Sequence, residues 1–538
     1  MSPAPRLLRS TASAFVRIII PRHNHAATHA TAAAPPPEKR AVAGSFIFRF
    51  SPDGQRPQVA LFRRSIKAKA YRHCYAPISG RVKADDDDEL ATAWRELAEE
   101  TGLGPRELRL IRQGKPYSFV DEALAREWII NPFAFALRSD GPGEAAIKLD
   151  SEHESFAWFD PAEVPDDNSD DGAFRGVPHL LDSLRRVYFE LELQPDAAAL
   201  LDDGLRRLRD DRKSSARKLS VIALDTFIRI LPVLDRPVGG SAARWWRSVR
   251  IVAWHLWKSG HEDMGSSTLR LLLDAMTLIE ARLPLATATA SLPEGGFIDA
   301  IVDDLQAISR QRREPDAALQ DAFVSFIRHQ QASHADPSPV IRILVLSSNA
   351  TVISCLNRAR AAQDLYLDIH IRKSRPFYKG RVAKARNIAD SNASIDAARD
   401  AHILLLGADS IDDRGHVRNK TGSISVELFK LLIASHVKAR TVKASKIVVV
   451  AHSGKILPAD QPSAPKHIKR RDFSRVWPCI SPEAAQTDKW NISDEDFQWM
   501  FDFLIDCYIT ESGITTKEEI AASAREARAR ASHFFDDL

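Results

Sequence analysis

Three glutamates stand close together near the front of this sequence, at Glu96, Glu99 and Glu100. Their spacing places all three carboxylates on one face of a helix, because residues i, i+3 and i+4 are neighbours on a helix surface. Like charges on one short face repel, so solvation alone gives no reason to gather them. The alternative is a solvated acidic helix with an Arg95–Glu99 ion pair. A divalent cation such as Mg2+ favours the grouping, since it takes oxygen ligands, neutralises a diphosphate and activates water for attack at phosphorus.

The same segment resembles the signature of a known family. Residues 95–103 read RELAEETGL, which matches the core of the Nudix box residue for residue, so residues 41–165 resemble a Nudix hydrolase domain. The resemblance implies that Glu96, Glu99 and Glu100 bind magnesium or manganese, and that Arg95 orients a glutamate of the box. It also implies a pyrophosphohydrolase that cleaves a nucleoside diphosphate linked to another moiety.

Glu152 resembles the position at which some family members place a general base. A solvated loop carboxylate is the alternative for this residue. Ahead of the helix the match is imperfect: the family has a glutamate where this chain has Asp87, and a glycine where it has Arg81. Gly80 therefore implies a one-residue insertion in the loop before the helix.

A second set of polar residues follows apolar strands in the C-terminal part. Near-continuous apolar runs at 340–346, 365–371, 402–406 and 446–451 predict strands buried on both faces, as in a doubly wound parallel sheet. Ligands of such sheets lie at the carboxyl ends of the strands, which here are residues 347–350, 373–380, 407–409 and 452–455. The candidates for holding or transforming a phosphorylated ligand there are Ser348, Arg375, Asp409, Asn419 and Lys420.

The order and spacing of these strings resemble the alpha, beta and delta regulatory subunits of translation initiation factor two B. The resemblance extends to methylthioribose-1-phosphate isomerase and ribose-1,5-bisphosphate isomerase, and it covers residues 178–457. In these isomerases a cysteine and an aspartate move protons between adjacent sugar carbons, which makes Asp409 the matching catalytic residue. The cysteine position carries Ser348, whose hydroxyl is far less acidic than a thiol. The resemblance therefore implies a retained sugar- or nucleotide-phosphate pocket with reduced or lost isomerase activity.

Several interpretations of residues 178–538, here called the rear half, stay open at this point. The alternatives are a pocket for a phosphorylated ligand, an active aldose–ketose isomerase, and a binding module that joins a second copy or a regulatory-subunit-like complex. A Rossmann-like scaffold with an empty pocket is the structural alternative. The sequence predicts a fusion of the hydrolase with one of these.

The surrounding elements predict an α/β multidomain protein. A helix is expected over 89–101, between short β-type runs. The predicted domains are a Nudix α/β/α sandwich at 41–165, a bundle of four to six helices at 178–335, and a Rossmann-like doubly wound parallel sheet with C-terminal helices at 338–538.

Residues 1–40 differ in composition from the rest. Arginines alternate with Ser, Thr and Ala, and the first acidic residue is Glu38. This composition is typical of a mitochondrial transit peptide, with a disordered alanine-rich leader as the alternative. The predicted location is the mitochondrial matrix or the cytoplasm.

The overall composition excludes several classes of protein. Among 538 residues, 75 Lys and Arg stand against 71 Asp and Glu, and the net charge of +4 is too small to indicate a nucleic-acid partner. The 4 cysteines lie far apart, which argues against a zinc site or a disulfide framework and favours a reducing compartment. No apolar run reaches the roughly 20 residues that span a bilayer. The expected partners are therefore a nucleotide or sugar phosphate, a metal ion, and a subunit or second copy.

Overall fold

The computed structural model describes residues 37–50, 57–141, 143–165, 174–211, 214–234, 241–260, 265–283, 292–293, 296–333, 340–345, 349–372, 387–389, 401–420, 445–459 and 497–538. Two predicted site residues, Ser348 and Arg375, lie outside these stretches, and so do residues 1–36 of the predicted leader. For Lys420 the backbone is described but not the side chain. Within the described part of the chain, no helix is long and apolar enough to cross a membrane.

The first unit is a mixed sheet with a helix on each face. Strands β3, β2, β1, β7 and β5 lie side by side in that order, with β4 on β1, β6 on β7 and β8 on β2. Strands β1 and β7 run parallel, and the other pairs are antiparallel. The elements are β1 (Glu38–Arg49), β2 (Gln58–Arg64), β3 (Tyr75–Ala76), β4 (Ile78–Arg81), α1 (Glu89–Thr101), β5 (Leu108–Gln113), β6 (Tyr117–Asp121), β7 (Arg126–Leu137), β8 (His153–Phe159) and α2 (Leu180–Val187).

The two faces of this sheet have separate apolar cores. Leu97 of α1 packs with Phe135 on one face, and Leu184 of α2 packs with Phe48 on the other. Helix α1 has the predicted bounds because Asp88 accepts a hydrogen bond from the Ala91 N–H at its start, while a left-handed Gly102 ends it. The predicted α/β/α sandwich is confirmed, with α2 as its second helix layer.

The second unit is helical. Helices α3 to α7 share one core with the end of the last helix of the chain, whereas α8 leaves this core and packs its Phe323 and Ile327 on the following sheet. The predicted bundle is therefore present. Its elements are α3 (Pro195–Asp210), α4 (Ala216–Ile230), α5 (Ala242–Lys258), α6 (Gly265–Glu280), α7 (Phe297–Arg313) and α8 (Ala317–Ala332).

The third unit has a seven-stranded sheet in the order β11-β10-β9-β12-β15-β17-β18, parallel except for β18. A separate antiparallel sheet of three strands has the order β13-β14-β16. The first six strands of the seven-stranded sheet follow the Rossmann order 3-2-1-4-5-6, which confirms the predicted Rossmann-like sheet. The elements are β9 (Ile341–Val345), α9 (Ala350–Ala361), β10 (Leu367–Arg372), β11 (Asn387–Ala389), β12 (Ile403–Gly407), β13 (Ser410–Ile411), β14 (Val417–Lys420), β15 (Lys446–Val450), β16 (Phe497–Met500), β17 (Cys507–Thr510), β18 (Gly513–Thr515) and α10 (Lys517–Phe535).

The C-terminal segment differs from the sequence expectation of one or two helices. Strands β16, β17 and β18 precede α10, and β17 extends the parallel sheet beside β15. Strands of three or four residues are too short to show a period in the sequence, so their pairing is set by tertiary contacts. Helix α10 starts at a capping box of Thr516 and Glu519. It then joins two cores, with Ile520 on the sheet and Phe534 in the bundle.

Strand β5 attaches the first unit to the bundle. Arg112 on this strand is 3% exposed and donates two hydrogen bonds of 2.6 Å to Glu190 and one of 3.1 Å to Asp202. One residue on, the Gln113 carbonyl accepts from the indole N–H of Trp254 at 3.1 Å. Hydrogen bonds and ion pairs therefore stabilise the junction between the first unit and the bundle, in addition to apolar contacts.

Candidate functional site

Arg95 ties helix α1 to the loop before it. Its guanidinium donates to both carboxylate oxygens of Asp86, at 2.9 and 2.8 Å, and to the Arg81 carbonyl at 3.1 Å. The same group forms ion pairs with Glu96 and, at 3.2 Å, with Glu99. The hydrogen bonds from Arg95 hold the pKa of Asp86 well below its usual range. Arg95 therefore positions two of the predicted metal-binding glutamates against the loop.

The structure shifts the first part of the box by one residue. Asp86, rather than Asp87, pairs with Arg95, and Gly80 lies directly against Glu96. Gly80 and Asp86 keep the separation that the family pattern has between its glycine and its first glutamate. The inserted residue therefore lies after Asp86, between the loop carboxylate and the start of α1.

Position 80 must be glycine because the Glu96 side chain lies directly against its backbone. A Cβ at this position would lie 1.9 Å from the Glu96 Cδ. Gly80→Ala should push the Glu96 carboxylate aside and lower the rate of the hydrolysis that the Nudix resemblance implies on the order of 10²-fold, since a shift of about 1 Å at a site has that effect. Gly104→Ala is the matched control, because its new Cβ would meet only Glu107 at 3.7 Å. Wild-type turnover in Gly80→Ala would contradict this packing.

Glu100 is the most informative carboxylate of the face. The residue is 7% exposed, and its Oε2 has no hydrogen-bond partner among the described residues. The Nε2 of His153 lies 3.8 Å from this oxygen. Burial raises the pKa of Glu100 to about 9, and the charges of Glu96, Asp150 and Glu152 add to the rise. The cluster thus has an excess of negative charge around a buried, unbonded oxygen.

Two members of this cluster were not among the predicted site residues. The Asp150 carboxylate accepts from the Glu152 N–H at 3.0 Å and lies 3.2 Å from the Nδ1 of His153, while the Asp150 N–H donates to the Glu100 carbonyl at 3.1 Å. Burial lowers the pKa of His153, so its ring is neutral near pH 7. With Nδ1–H directed at Asp150, the Nε2 lone pair faces Glu100. In the sequence these residues stand beside Glu152, and that proximity was the available signal.

The donor set fits a hard divalent cation. Glu96 and Glu100 offer buried carboxylates, and Glu152 lies close enough for its charge to raise the pKa of Glu100. Glu99 stands at the solvent edge, with its side chain 55% exposed and paired to Arg95. Mg2+ is held in proteins by few carboxylates and completes its shell with water and phosphate oxygens. Cation binding would satisfy the Glu100 oxygen and offset the repulsion that raises its pKa.

The second predicted site lies at the carboxyl edge of the Rossmann-like sheet. Asp409 follows β12, and its carbonyl accepts from the Lys455 Nζ at 3.3 Å. Burial lowers the pKa of Lys455, while the charge of Asp409 opposes that effect. Asn419 is 1% exposed and lies on β14 of the three-stranded sheet, next to Arg418, whose carbonyl accepts from the Asp409 N–H at 2.9 Å. The segment 452–455 was expected at this edge, but Lys455 itself was not among the predicted ligands, because only the fold shows its contact with Asp409.

This edge includes the point where the strand order reverses, between β9 and β12. Asn349 caps α9 by accepting from the Val352 N–H at 2.8 Å. Its Nδ2 lies 1.6 Å from where a Cβ of residue 407 would be, so only Gly407 fits there. Doubly wound sheets bind ligands at this reversal. Ser348, which precedes Asn349, and Arg375 lie outside the described residues, so the predicted phosphate site is described only in part.

A polar cluster beside this edge resembles a metal site in its residue types. The Nε2 of His452 lies 3.3 Å from Asp316 and 3.5 Å from Glu511. The Gly454 N–H lies 3.0 Å from Nδ1. The Arg312 guanidinium, which can only donate, lies 2.7 Å from Nε2 and occupies the lone pair that a metal would need. Arg312 therefore supplies the positive charge of this cluster, and we assign no metal to it.

Comparison with known proteins agrees with the first of these sites. Residues 39–180 match the NUDIX domain family. The match passes the predicted boundary at 165 and ends where α2 begins. A comparison with curated protein sequences gave no match.

Among solved structures, the eIF2B beta2-delta2 complex from C. thermophilum is similar with a TM-score of 0.41 and 12% identity, covering 63% of this chain and 98% of that one. The Pyrococcus horikoshii initiation factor eIF-2B has a TM-score of 0.37 and 18% identity, covering 60% and 98%. An Ap4A hydrolase from C. elegans has a TM-score of 0.21 and 18% identity, covering 27% and 93%. From the family match and the α/β/α sandwich together, residues 39–180 of this chain are a Nudix domain, followed by a helical bundle and a Rossmann-like sheet.

Proposed function

We propose that the Nudix domain is a pyrophosphohydrolase that depends on Mg2+ or Mn2+ and cleaves a nucleoside diphosphate linked to another group. The observation that carries the proposal is the buried Glu100 carboxylate, unbonded at Oε2 and crowded by Glu96, Asp150 and Glu152. A structural helix would not gather buried carboxylates without a partner, because each is costly to ionise there. A divalent cation, bound together with the phosphates of a substrate, would compensate the negative charge of this cluster.

The residues of the carboxylate cluster and Arg95 have different proposed roles. Glu96 and Glu100, with Glu99 at the edge, would hold the cation, which when bound neutralises phosphate charge and lowers the pKa of water. Arg95 orients Glu96 and Glu99 through its bonds to the loop. Glu152, whose N–H donates to the Asp150 carboxylate and whose charge adds to the raised pKa of Glu100, would take a proton from the attacking water.

The proposal is tested with the purified full chain and a panel of diphosphates. ADP-ribose, dinucleotide polyphosphates and coenzyme A are each incubated with MgCl2, and the products are separated by chromatography. We expect turnover of at least one compound, its loss with EDTA and its recovery with added Mg2+ or Mn2+. No turnover of any compound, or an unchanged rate in Glu99→Gln, would count against the proposal.

For the rear half we propose a site for a phosphorylated sugar or nucleotide. It is supported by Lys455, whose ammonium donates to the Asp409 carbonyl at the ligand-binding edge of the sheet. The buried Asn419 follows Arg418, whose carbonyl accepts from the Asp409 N–H. Cations at such an edge attract phosphate. The isomerase alternative needs Asp409 together with Ser348, and a ketose product that disappears in Asp409→Asn would favour it. Light scattering tests the further proposal that this half joins a second copy or a regulatory-subunit-like complex.

Ligand binding to the rear half has a direct thermal readout. Ribose 1-phosphate or AMP at about 100 times its Kd should stabilise the protein by roughly 2.7 kcal/mol. Lys455→Met should abolish that shift, because it removes the ammonium but keeps an apolar stem of similar length. Lys446→Met, an exposed lysine at the start of β15, is the control. Equal shifts in both variants would contradict a phosphate site at Lys455.

A further inference from the structure

Strand β2 ends in two adjacent arginines, Arg63 and Arg64, whose side chains point to opposite faces of the sheet. Successive side chains of a strand point to opposite faces. Phe62 faces α1 within the core on that side, so Arg63 points away from α1 and Arg64 points back towards it. Arg63 is exposed and forms an ion pair with Glu154 at 3.0 Å. Arg64 is half-buried and has no such carboxylate partner among the described residues.

The strand register places Arg64 next to the carboxylate cluster. Arg64 lies opposite His153 across the pair of β2 and β8, where the register shifts so that Glu154 of β8 has no directly opposed residue. Directly opposed residues of an antiparallel pair share one face of the sheet. The His153 ring packs edge-on against Phe62 and has its Nε2 3.8 Å from the Glu100 carboxylate. In agreement, the charge of Arg64 acts on Glu100 and partly offsets the rise in its pKa.

The hydrogen bonds of Arg64 leave the outer part of its guanidinium available. The Nε donates to the Ala70 carbonyl at 3.1 Å, which fixes the direction of the group. Neither Nη atom makes a hydrogen bond or ion pair within the described residues. A guanidinium presents a planar fork of N–H donors that matches two oxygens of a phosphate. The arrangement is a fixed cation with free donors beside the carboxylate cluster.

We propose that Arg64 binds a phosphate of the substrate diphosphate beside the carboxylate cluster and orients it for cleavage. This role rests on the proposed hydrolase function and adds a substrate-binding residue from outside the Nudix box. It also explains how an acidic site accepts an anionic substrate, since Arg64 would add its positive charge to that of the cation held by the glutamates. Arg63, one residue earlier, has no part in it.

The test compares Arg64→Ala with Arg63→Ala in the full-length protein. We expect kcat/KM to fall about 10- to 100-fold in Arg64→Ala, mainly through KM, because hydrogen bonds to charged groups have that size. Arg63→Ala should stay within about threefold of wild type. Arg64→Lys should recover part of the loss, since it restores the charge but not the fork. Affinity for Mn2+ alone, measured by electron paramagnetic resonance, should be unchanged in all three variants.

A binding experiment separates this proposal from the hydrolase proposal. Isothermal titration with α,β-methylene-ADP and Mg2+, which needs no turnover, should show binding to wild type and to Arg63→Ala but at least tenfold weaker binding to Arg64→Ala and Arg64→Gln. Absence of hydrolysis with this pattern of binding would refute the hydrolase and leave the role of Arg64 standing. Equal affinities in wild type and the Arg64 variants, or no binding to wild type, would overturn the role of Arg64. Circular dichroism of each variant confirms that the compared proteins are folded.

Discussion

Glu100→Gln is expected to lower hydrolysis roughly 10³-fold without weakening the fold. Charge stabilisation by a metal is worth several kcal/mol, and each 1.4 kcal/mol is about tenfold in rate. Because the pKa of Glu100 is raised to about 9, the carboxyl is mostly protonated at pH 7.5 when no cation is bound. Glutamine has the same shape and charge as that protonated form. The melting temperature should therefore stay at or slightly above the wild-type value, while kcat/KM collapses.

Glu89→Gln is the matched control for this substitution. Glu89 starts the same helix but is exposed, and it lies outside the carboxylate cluster. Its replacement should leave kcat/KM within about twofold, as for other exposed charges. More than a tenth of the wild-type rate in Glu100→Gln, or an equal loss in Glu89→Gln, would argue against a catalytic cluster at Glu100.

Arg112→Ala is expected to have the largest effect on stability, a loss of about 3 kcal/mol in the free energy of unfolding. Breaking a buried ion pair by removing one partner has an effect of about 3–5 kcal/mol. The lower end applies because the side chains of Glu190 and Asp202 are 28% and 47% exposed, so water can solvate them after the change. The guanidinium also stacks 3.8 Å from the Phe189 ring centroid, and this contact is lost as well.

Urea unfolding monitored by circular dichroism measures this loss, and Arg109→Ala provides the control. Arg109 lies on the same strand β5 but is exposed. We expect its replacement to change the free energy of unfolding by less than about 0.5 kcal/mol. We also expect the transition of Arg112→Ala to broaden or split, because Arg112 links the Nudix domain to the helical bundle. A loss below about 1 kcal/mol in Arg112→Ala would show that the junction does not depend on this ion pair.

Local chemistry explains which elements could be predicted from the sequence. Helix α1 has its predicted bounds because an Asp88 cap and a left-handed Gly102 act within a few residues of the helix. The strands β9, β12 and β15 could be predicted because burial on both faces leaves a continuous apolar run. In both cases the physical cause lies inside the segment itself.

The features that escaped prediction depend on distant parts of the chain. Counting residues back from Arg95 indicated Asp87 as the counterpart of the family's first glutamate. In the structure, Asp86 is the loop carboxylate that forms the ion pair with Arg95. Asp150 and His153 join the site only because their segment bonds to the end of α1. Lys455 likewise meets Asp409 through the pairing of strands from separate parts of the sequence.

Titration of the protein with Mn2+, followed by electron paramagnetic resonance, tests the central claim most directly. If Glu96 and Glu100 hold the catalytic cation, wild type should bind Mn2+ and Glu100→Gln should bind it about 100-fold more weakly, while Glu89→Gln matches wild type. Mn2+ binding that is absent in wild type, or that is equally strong in Glu100→Gln, would contradict a cation site at these carboxylates.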